Sequence, residues 1–263
     1  VSLVRGLADS LNLATVNLGL ELGVAAVAQR LAELSGHATG NPFPSLLLGA
    51  EERTPLQVQQ LYGTFASGGF AMTPRSVVTV LDEQGQGLSH HPIELEQKVD
   101  PVVDDLLTQA LVTVMRNGTG KTSRFAQAGV AGKTGTSDDF RDSWFAGFDA
   151  QRLAVVWIGR DDNAPTGLTG ASGAMRLWDA IMSDADLQPL FTGPRPGYQP
   201  VRFDYQSGYA LSRSCEGTVP ISLPLPRNTE LPAHPDCSSN RVQALSERFQ
   251  RWLQGTGNQD EGR

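Results

Sequence analysis

The stretch Ala131-Gly-Lys-Thr-Gly-Thr-Ser137 organises the structure predicted for this chain. Lys133 supplies a positive charge, Thr134 and Thr136 supply hydroxyl and backbone N–H groups, and Gly135 allows another backbone to come close. An extended peptide or a carboxylate would dock on such a segment. Lys-Thr-Gly by itself is also compatible with an ordinary strand end, so the neighbouring segments decide between the two interpretations.

Two segments downstream continue the sheet. Ser143–Phe148 and Leu153–Ile158 have the β-branched and aromatic content of central strands. Residues 149–152 form the predicted turn between them. The simplest prediction is a three-stranded antiparallel meander from about residue 130 to residue 160, with the Lys133 strand at its edge.

Upstream, apolar residues at helical spacing predict a short amphipathic helix over 2–11, with Ser10 and Asn12 at its C-terminal end. Loop ends of this kind suit side chains that must contact a ligand. The alternative is that both residues cap neighbouring helices, with Asn12 as the N-cap of a helix over 14–22. The pattern alone leaves these two interpretations even.

Four more helices are predicted from periodicity and end signals, at 24–34, from Thr54-Pro55 to 68–69, from Asp100-Pro101 to Arg116, and at 170–182. Gly36 is the predicted stop of the first of these. The apolar stretch 46–50 is expected in the core. The helical side chains expected to face inward include Leu56, Leu61, Phe65, Met175, Leu177, Trp178 and Ile181.

Residues 75–98 have a β pattern, with a strand at 77–81, a turn at 82–85 and a more polar return strand. His90 and His91 lie on the polar arm without a third ligand at metal-binding spacing. We therefore expect solvated histidines and no metal site.

The glycine-rich loop Asn117-Gly-Thr-Gly120 lacks the Walker spacing, so it is a poor phosphate loop.

Composition narrows the class of protein. The 263 residues are 40% hydrophobic with a net charge of −7, which favours one large domain plus an extension and argues against a nucleic-acid partner. No apolar run reaches the roughly twenty residues that a membrane helix needs. Because the chain starts at Val1 without an initiator methionine or a signal peptide, we expect a piece of a longer protein.

The tail changes character from Pro189 onward, where prolines, glycines and polar residues dominate. We expect at most one short helix there, at 246–253, and a disordered end at 255–263. Cys215 and Cys237 favour a disulfide, which would stabilise the tail by about 3 kcal/mol and requires an oxidising compartment. Metal binding with His234 is less favoured, and two separate buried thiols are a further alternative.

A family resemblance appears when Ser10-Leu-Asn12 is paired with the Lys133-Thr-Gly strand, as in penicillin-recognising enzymes. Further matching segments follow the same order along the chain: Thr15-Val-Asn-Leu-Gly19, Leu48-Gly-Ala50, Thr54-Pro-Leu56, Ala66-Ser-Gly-Gly69, Asn117-Gly-Thr-Gly120, Gly132-Lys-Thr-Gly-Thr136 and Asp142-Ser-Trp-Phe-Ala-Gly147. Together, residues 1–184 resemble the transpeptidase domain of bifunctional class A penicillin-binding proteins.

The resemblance implies an α+β fold of the penicillin-recognising transpeptidase type, with an antiparallel sheet flanked by helices and a helical lobe. The domain would be N-terminally truncated, with its partial form at 1–186 and a small C-terminal extension at 187–263. The missing strands and central helix would leave part of the sheet face and an apolar groove uncovered.

Three catalytic roles are implied by the same resemblance. Ser10 would relay protons between a lysine of the active site and the leaving amine. Asn12 would hydrogen-bond the amide of the donor peptide. Lys133 would hold Ser10 and make the cleft positive.

Substrate-binding roles fall on the strand itself. Thr134 and Thr136, on either side of Gly135, would bind the terminal carboxylate of a peptide or a β-lactam. The backbone N–H of Thr136 would form half of the oxyanion hole. Asp142 and Trp144 match family positions beside this strand and are expected to have supporting roles.

The nucleophile of this family comes from a Ser-x-x-Lys element, which this chain lacks. Its three lysines, Lys98, Lys121 and Lys133, are preceded at that distance by Leu95, Gly118 and Val130. We therefore expect the element upstream of Ser10 and an inactive fragment when this chain is isolated.

The whole enzyme is expected to be a peptidoglycan D,D-transpeptidase that acts on D-Ala-D-Ala stem peptides and is acylated by β-lactam antibiotics. No metal or organic cofactor is implied. Its expected location is the periplasmic face of the bacterial inner membrane, with membrane contact only through the missing N-terminal part, and cell-wall synthesis regulators are possible partners. The alternatives are a non-catalytic peptide-binding or regulatory module and a D,D-carboxypeptidase or β-lactamase-like hydrolase; Leu11 departs from the aspartate of secreted β-lactamases.

Overall fold

The structure is a computed structural model that describes residues 1–40, 42–190, 196–212 and 215–235. The chain divides into two units, Val1–Pro196 and Gly197–Arg263. The boundary at 186/187, which concerns the extent of the transpeptidase domain, stays a prediction. Residues 246–253 and 255–263, for which a short helix and a disordered end are predicted, lie outside the described residues.

The described part of the first unit is built from six α-helices and seven short strands. In chain order the elements are α1 (Leu3–Ala8), α2 (Asn12–Leu22), α3 (Val24–Ser35), α4 (Pro55–Ala66), β1 (Phe70–Met72), β2 (Thr79–Leu81), β3 (Gly87–His90), β4 (Leu95–Gln97), α5 (Pro101–Arg116), β5 (Ala131–Thr136), β6 (Ser143–Phe148), β7 (Leu153–Ile158) and α6 (Ala174–Ser183). Single 3₁₀ turns cover Pro44–Leu48 and Asp138–Phe140.

The predicted meander is confirmed, with β5, β6 and β7 antiparallel in that order and β5 at the edge. Lys133 lies opposite Ala146, and Gly135 lies opposite Trp144. Because side chains alternate across a strand, Lys133 and Trp144 share one face of the sheet and Phe145 lies on the other. The Asp149 N–H donates to the Arg152 carbonyl at 3.0 Å and closes the predicted turn.

The core of this unit lies between the Phe145 face of the sheet and helix α6. Phe145 and Trp178 are fully buried and meet edge to face, with ring centroids 5.2 Å apart. The Trp178 indole N–H donates to the Gly147 carbonyl at 3.2 Å, so its polar group is paired inside the core. Met115 at the end of α5 and Met175 of α6 belong to the same cluster, which ties both helices to the sheet.

Helix α4 begins where the sequence predicts, at a capping box formed by Thr54 and Gln57 with Pro55 at the first position. The Thr54 hydroxyl accepts a hydrogen bond from the Gln57 N–H at 3.2 Å, and the Gln57 side chain accepts one from the Thr54 N–H at 2.8 Å. Two N–H groups at the helix start are thereby satisfied.

Replacing Thr54 by alanine is expected to lower the free energy of unfolding by about 1 kcal/mol, because one of these N–H groups loses its acceptor. Urea unfolding of the full-length protein with Thr54→Ala, and with Thr54→Ser as the control that keeps the hydroxyl, measures the effect. Equal midpoints for the alanine variant and the wild type would contradict the prediction.

Several buried positions were predicted wrongly. Residues 44–48 form a 3₁₀ turn with no buried residue, and Leu56 is 58% exposed. Helix α6 starts at Ala174, later than predicted, and its Leu177 and Ile181 are 46% and 51% exposed while Met175 and Trp178 are buried. Helical spacing identifies an apolar side chain, but the neighbouring elements decide whether it is covered.

The β segment before α5 is more elaborate than predicted. The hairpin is present as β2 and β3, although its first strand is limited to Thr79–Leu81. A second antiparallel pair, β1 with β4, was not predicted from the sequence. Within the described residues no group of three metal-ligating side chains occurs, so His90 and His91 have no such cluster around them.

The second unit contains an antiparallel strand pair, β8 (Tyr198–Asp204) and β9 (Pro220–Pro226), where the sequence suggested no regular structure. Four prolines in these strands concealed the pattern. Pro200 and Pro224 lie opposite each other. A two-stranded sheet tolerates prolines on edges without ladder bonds, although β8 is bridged on its outer edge at Phe203 by Ala210. Cys215 is disulfide-bonded, while Cys237, its predicted partner, lies outside the described residues.

Helix α2 exposes much of its apolar surface, with Leu13 88%, Leu20 54% and Leu22 62% exposed. On the Lys133 face of the sheet, Trp157 is 42% exposed. The expectation that missing segments leave a sheet face and an apolar groove uncovered stays a prediction. Across the described ranges, no helix is both long enough and apolar enough to cross a membrane.

Candidate active site

Ser10 has an unusual backbone conformation at the end of α1. Its φ is +54°, in the left-handed region. The Ser10 N–H donates to the Leu7 carbonyl at 3.2 Å and the Leu11 N–H to the Gly6 carbonyl at 2.9 Å, which is the Schellman pattern that normally places glycine at the left-handed position. A serine there costs about 1 kcal/mol relative to glycine, so this position keeps a hydroxyl at the expense of backbone stability.

Asn12 does not cap a helix. It is the first residue of α2, whose N-cap is Leu11 and lacks a side-chain capping bond. The Asn12 side chain is exposed, and no partner for its amide occurs in the described part of the chain. The capping explanation from the sequence is therefore wrong for Asn12, and its amide is available to a ligand next to the Ser10 loop.

Lys133 connects strand β5 to the Ser10 loop at the end of α1, 123 residues earlier in the sequence. Its ammonium donates to the Ser10 hydroxyl oxygen at 3.0 Å and to the Thr134 carbonyl at 2.9 Å. Burial lowers the pKa of Lys133 from 10.5 to about 8, because desolvation disfavours the charged form. Among the described residues no carboxylate is paired with this ammonium, so its charge is available to an anionic ligand.

The two threonine hydroxyls of β5 are held from outside the strand. The Thr134 and Thr119 hydroxyls share a hydrogen bond at 2.7 Å, and the Gly170 N–H donates to the Thr136 hydroxyl oxygen at 2.9 Å. Since Gly170 only donates, the proton of the Thr136 hydroxyl remains free for a carboxylate. Both supports keep the hydroxyls of this edge strand in place.

Two glycines allow close backbone contacts around the site, Gly118 against the end of α1 and Gly170 against strand β5. A Cβ at Gly118 would overlap the Ala8 carbonyl, two residues before Ser10. A Cβ at Gly170 would lie 2.6 Å from the Gly135 carbonyl oxygen and 2.9 Å from the Gly135 nitrogen. Both sites therefore require a residue without a side chain.

Asp142 stabilises the turn after β5. It accepts hydrogen bonds from the Ser137 hydroxyl at 2.8 Å and from the Trp157 indole N–H at 2.9 Å. The Trp157 ring packs against Trp144 with centroids 6.0 Å apart. Neither contact involves Lys133 or Ser10, so these residues support the strand end.

The structure thus brings together Ser10, Lys133 and Thr134, with Asn12 directly after the Ser10 loop. Sequence reasoning assigned no role to Thr119 or Gly170. Thr119 lies in the glycine-rich loop 117–120, which matched the family pattern, and a threonine between two glycines was the available signal. No local signal marks Gly170, because its approach to β5 is a long-range contact.

The edge strand β5 of the antiparallel sheet, joined through Lys133 to a serine at a helix end, is the arrangement of penicillin-recognising proteins. The model of the penicillin-binding protein transpeptidase domain matches residues 2–177, and the chain belongs to this family. More narrowly, it is a partial stretch of the transpeptidase domain of a class A penicillin-binding protein, with the corresponding α+β fold.

Among its relatives, penicillin-binding protein 1B of Vibrio cholerae is 42% identical over 226 residues, which are 85% of this chain and 29% of the relative. Penicillin-binding protein 1B of Escherichia coli is 34% identical over 81% of this chain and 26% of the relative. The chain therefore spans less than a third of the length of these curated relatives.

Solved structures show the same fold. Penicillin-binding protein 1A from Haemophilus influenzae superposes with a TM-score of 0.72 at 23% identity, over 88% of this chain and 40% of that chain. The PonA1 protein from Mycobacterium tuberculosis, in complex with penicillin V, has a TM-score of 0.60 at 23% identity, over 74% of this chain and 59% of that chain.

Proposed function

We propose that this chain carries the substrate-receiving part of a peptidoglycan D,D-transpeptidase site. The observation that supports this most directly is the 3.0 Å hydrogen bond between the Lys133 ammonium and the Ser10 hydroxyl. It places a hydroxyl that can pass a proton beside a cation that can hold a carboxylate.

The reaction would be an acyl transfer in two halves. A serine from an upstream Ser-x-x-Lys element attacks the carbonyl carbon of the D-Ala-D-Ala bond, and the peptide C–N bond breaks. The proton of that serine reaches the departing amine nitrogen through the lysine of the element and the Ser10 hydroxyl. The amine nitrogen of a neighbouring stem peptide then attacks the acyl carbon, the ester C–O bond to the serine breaks, and a proton from that amine returns to the serine oxygen.

The remaining residues would bind the donor peptide. Thr134 and Thr136 donate to its terminal carboxylate beside the Lys133 charge, and Asn12 bonds the amide next to the scissile bond. Gly135 leaves room for the peptide backbone along the strand, and the Thr136 N–H forms half of the oxyanion hole. A β-lactam carries a carboxylate and a strained amide in a similar arrangement, so it would acylate the same serine.

The position of the site outside the cytoplasm follows from its substrate. A peptidoglycan cross-linking enzyme works at the periplasmic face of the inner membrane, where the Cys215 disulfide is also stable. Cell-wall synthesis regulators are the partners expected for such an enzyme.

The direct test is acylation by a fluorescent penicillin of this chain alone and of the full-length protein, followed by mass mapping of the labelled residue. We expect label on a serine upstream of Ser10 in the full-length protein and none on this chain. Excess unlabelled penicillin given first is the control and should abolish the label. Absence of label from the full-length protein would refute the transpeptidase.

Experiments on the same full-length protein also test the two alternative functions, a non-catalytic peptide-binding module and a D,D-carboxypeptidase. The lack of Ser-x-x-Lys in these 263 residues favours a non-catalytic peptide-binding module if the full-length protein is not labelled. If it is labelled, incubation with stem pentapeptide distinguishes the products. Cross-linked dimers indicate a transpeptidase, whereas tetrapeptide and D-alanine alone indicate a carboxypeptidase.

A further inference from the structure

Thr119 lies in the loop between α5 and β5 and contacts both the end of α1 and strand β5. Its backbone N–H donates to the Ala8 carbonyl at 3.0 Å, and its hydroxyl bonds the Thr134 hydroxyl at 2.7 Å. We infer that Thr119 is a positioning residue that turns the Thr134 hydroxyl toward the carboxylate of the ligand. This inference rests on the proposed function and adds a residue to it.

The loop around Thr119 is held rigidly. The N–H groups of Gly118 and Gly120 both donate to the Val114 carbonyl, at 3.1 and 3.0 Å, and so close the end of α5. A Cβ at Gly120 would lie 2.6 Å from the Met115 sulfur, inside the core cluster. Together with the bond to Ala8, these contacts fix Thr119 relative to α5 and to the Ser10 loop.

The chemistry of a hydroxyl pair explains what a threonine adds here. A hydroxyl both donates and accepts, and its hydrogen rotates to suit its partners. At 2.7 Å either of the two hydroxyls can donate to the other. When a carboxylate binds, Thr119 donates to Thr134, and Thr134 donates to the carboxylate.

Nothing else in the described part of the chain competes for the Thr119 hydroxyl, whose hydrogen-bond partner there is Thr134. Donation by Thr119 to Thr134 therefore breaks no other bond. A hydroxyl that accepts one hydrogen bond becomes a better donor to the next group, which strengthens the contact to the carboxylate. The Gly170 N–H gives Thr136 similar support but can only donate, whereas the Thr119 hydroxyl supports Thr134 and can donate or accept.

The test uses the full-length protein and the second-order rate of acylation by a carboxylate-bearing fluorescent penicillin. Thr119→Val keeps the shape but removes the hydroxyl, and we expect the rate to fall about tenfold, the effect of one hydrogen bond to a charged ligand. Thr119→Ser restores the hydroxyl and should lie within about twofold of the wild type. In a Thr134→Val background, Thr119→Val should have no further effect, because the two residues act as one unit.

A second probe separates positioning from a general structural role. With the methyl ester of the same penicillin, which has no carboxylate anion, Thr119→Val and the wild type should react at equal rates. Equal losses for acid and ester, or a serine variant as slow as valine, would overturn the inference. So would a labelled wild type with an equally fast valine variant, whereas an unlabelled wild type would refute the proposed function itself.

Discussion

Replacing Ser10 by alanine in the full-length protein is expected to slow acylation by penicillin by about 100- to 1,000-fold, the usual contribution of a positioned proton-transfer group. Two effects combine in this loss. The leaving amine loses the hydroxyl that would protonate it, and the Lys133 ammonium loses its partner at 3.0 Å. Stopped-flow acylation with a fluorescent penicillin measures the rate.

Ser10→Gly is the variant that separates function from folding. Because Ser10 has a φ of +54°, we expect glycine at this position to raise the free energy of unfolding by about 1 kcal/mol. Like alanine, glycine lacks the hydroxyl. We expect acylation as slow as in Ser10→Ala together with an unfolding midpoint at or above that of the wild type. Ser89→Ala on the exposed β3 strand is the matched serine control and should react normally. Acylation by Ser10→Gly at the wild-type rate would exclude the proton-relay role.

The rate of acylation by wild-type protein is expected to fall as the pH rises through about 8, the pKa to which burial lowers Lys133. Below that pH the ammonium is charged and would attract the carboxylate of the proposed ligand. Above it the neutral amine neither binds the carboxylate nor donates strongly to Ser10. From the pKa alone, the rate at pH 9 should be about a tenth of its limiting value at low pH.

Lys133→Arg provides the control, since a guanidinium stays charged throughout this range. The variant should start from a lower rate, and its decline near pH 8 should be absent. A decline that persists in the arginine variant would assign it to another group. The free energy of unfolding has the opposite pH dependence. Because the native pKa of Lys133 is below 10.5, the unfolded state binds more protons between about pH 8 and 10.5. The cost of burying the charged lysine is therefore relieved as the pH rises through this range, and the free energy of unfolding increases.

Local sequence signals predicted the elements whose ends depend on their own residues. Thr54 and Pro55 mark the start of α4, Asp100 and Pro101 mark the start of α5, and Gly36 marks the stop of α3. The strands β5 to β7 followed from β-branched and aromatic content. These signals act within a few residues through capping bonds and backbone preferences, so a single sequence contains them in full.

Coverage of apolar surface could not be predicted in this way. Leu177 and Trp178 are neighbours in α6, yet one is 46% exposed and the other fully buried. The prolines of β8 and β9 argued against strands, yet the two segments pair along seven residues each. In each case the deciding partner is distant in sequence, and its position depends on the packing of the whole unit.

In the candidate site, too, the sequence identifies residues but not the contacts between distant ones. The residues Ser10, Lys133 and Thr134 were identifiable from the sequence, because their types and their order along the chain carry the family pattern. Only the tertiary structure decided that the Lys133 ammonium meets the Ser10 hydroxyl at 3.0 Å and that Thr119 meets Thr134 at 2.7 Å. Residue types determine which bonds can form, whereas the packing of α1, α5 and β5 brings the particular atoms within hydrogen-bonding distance.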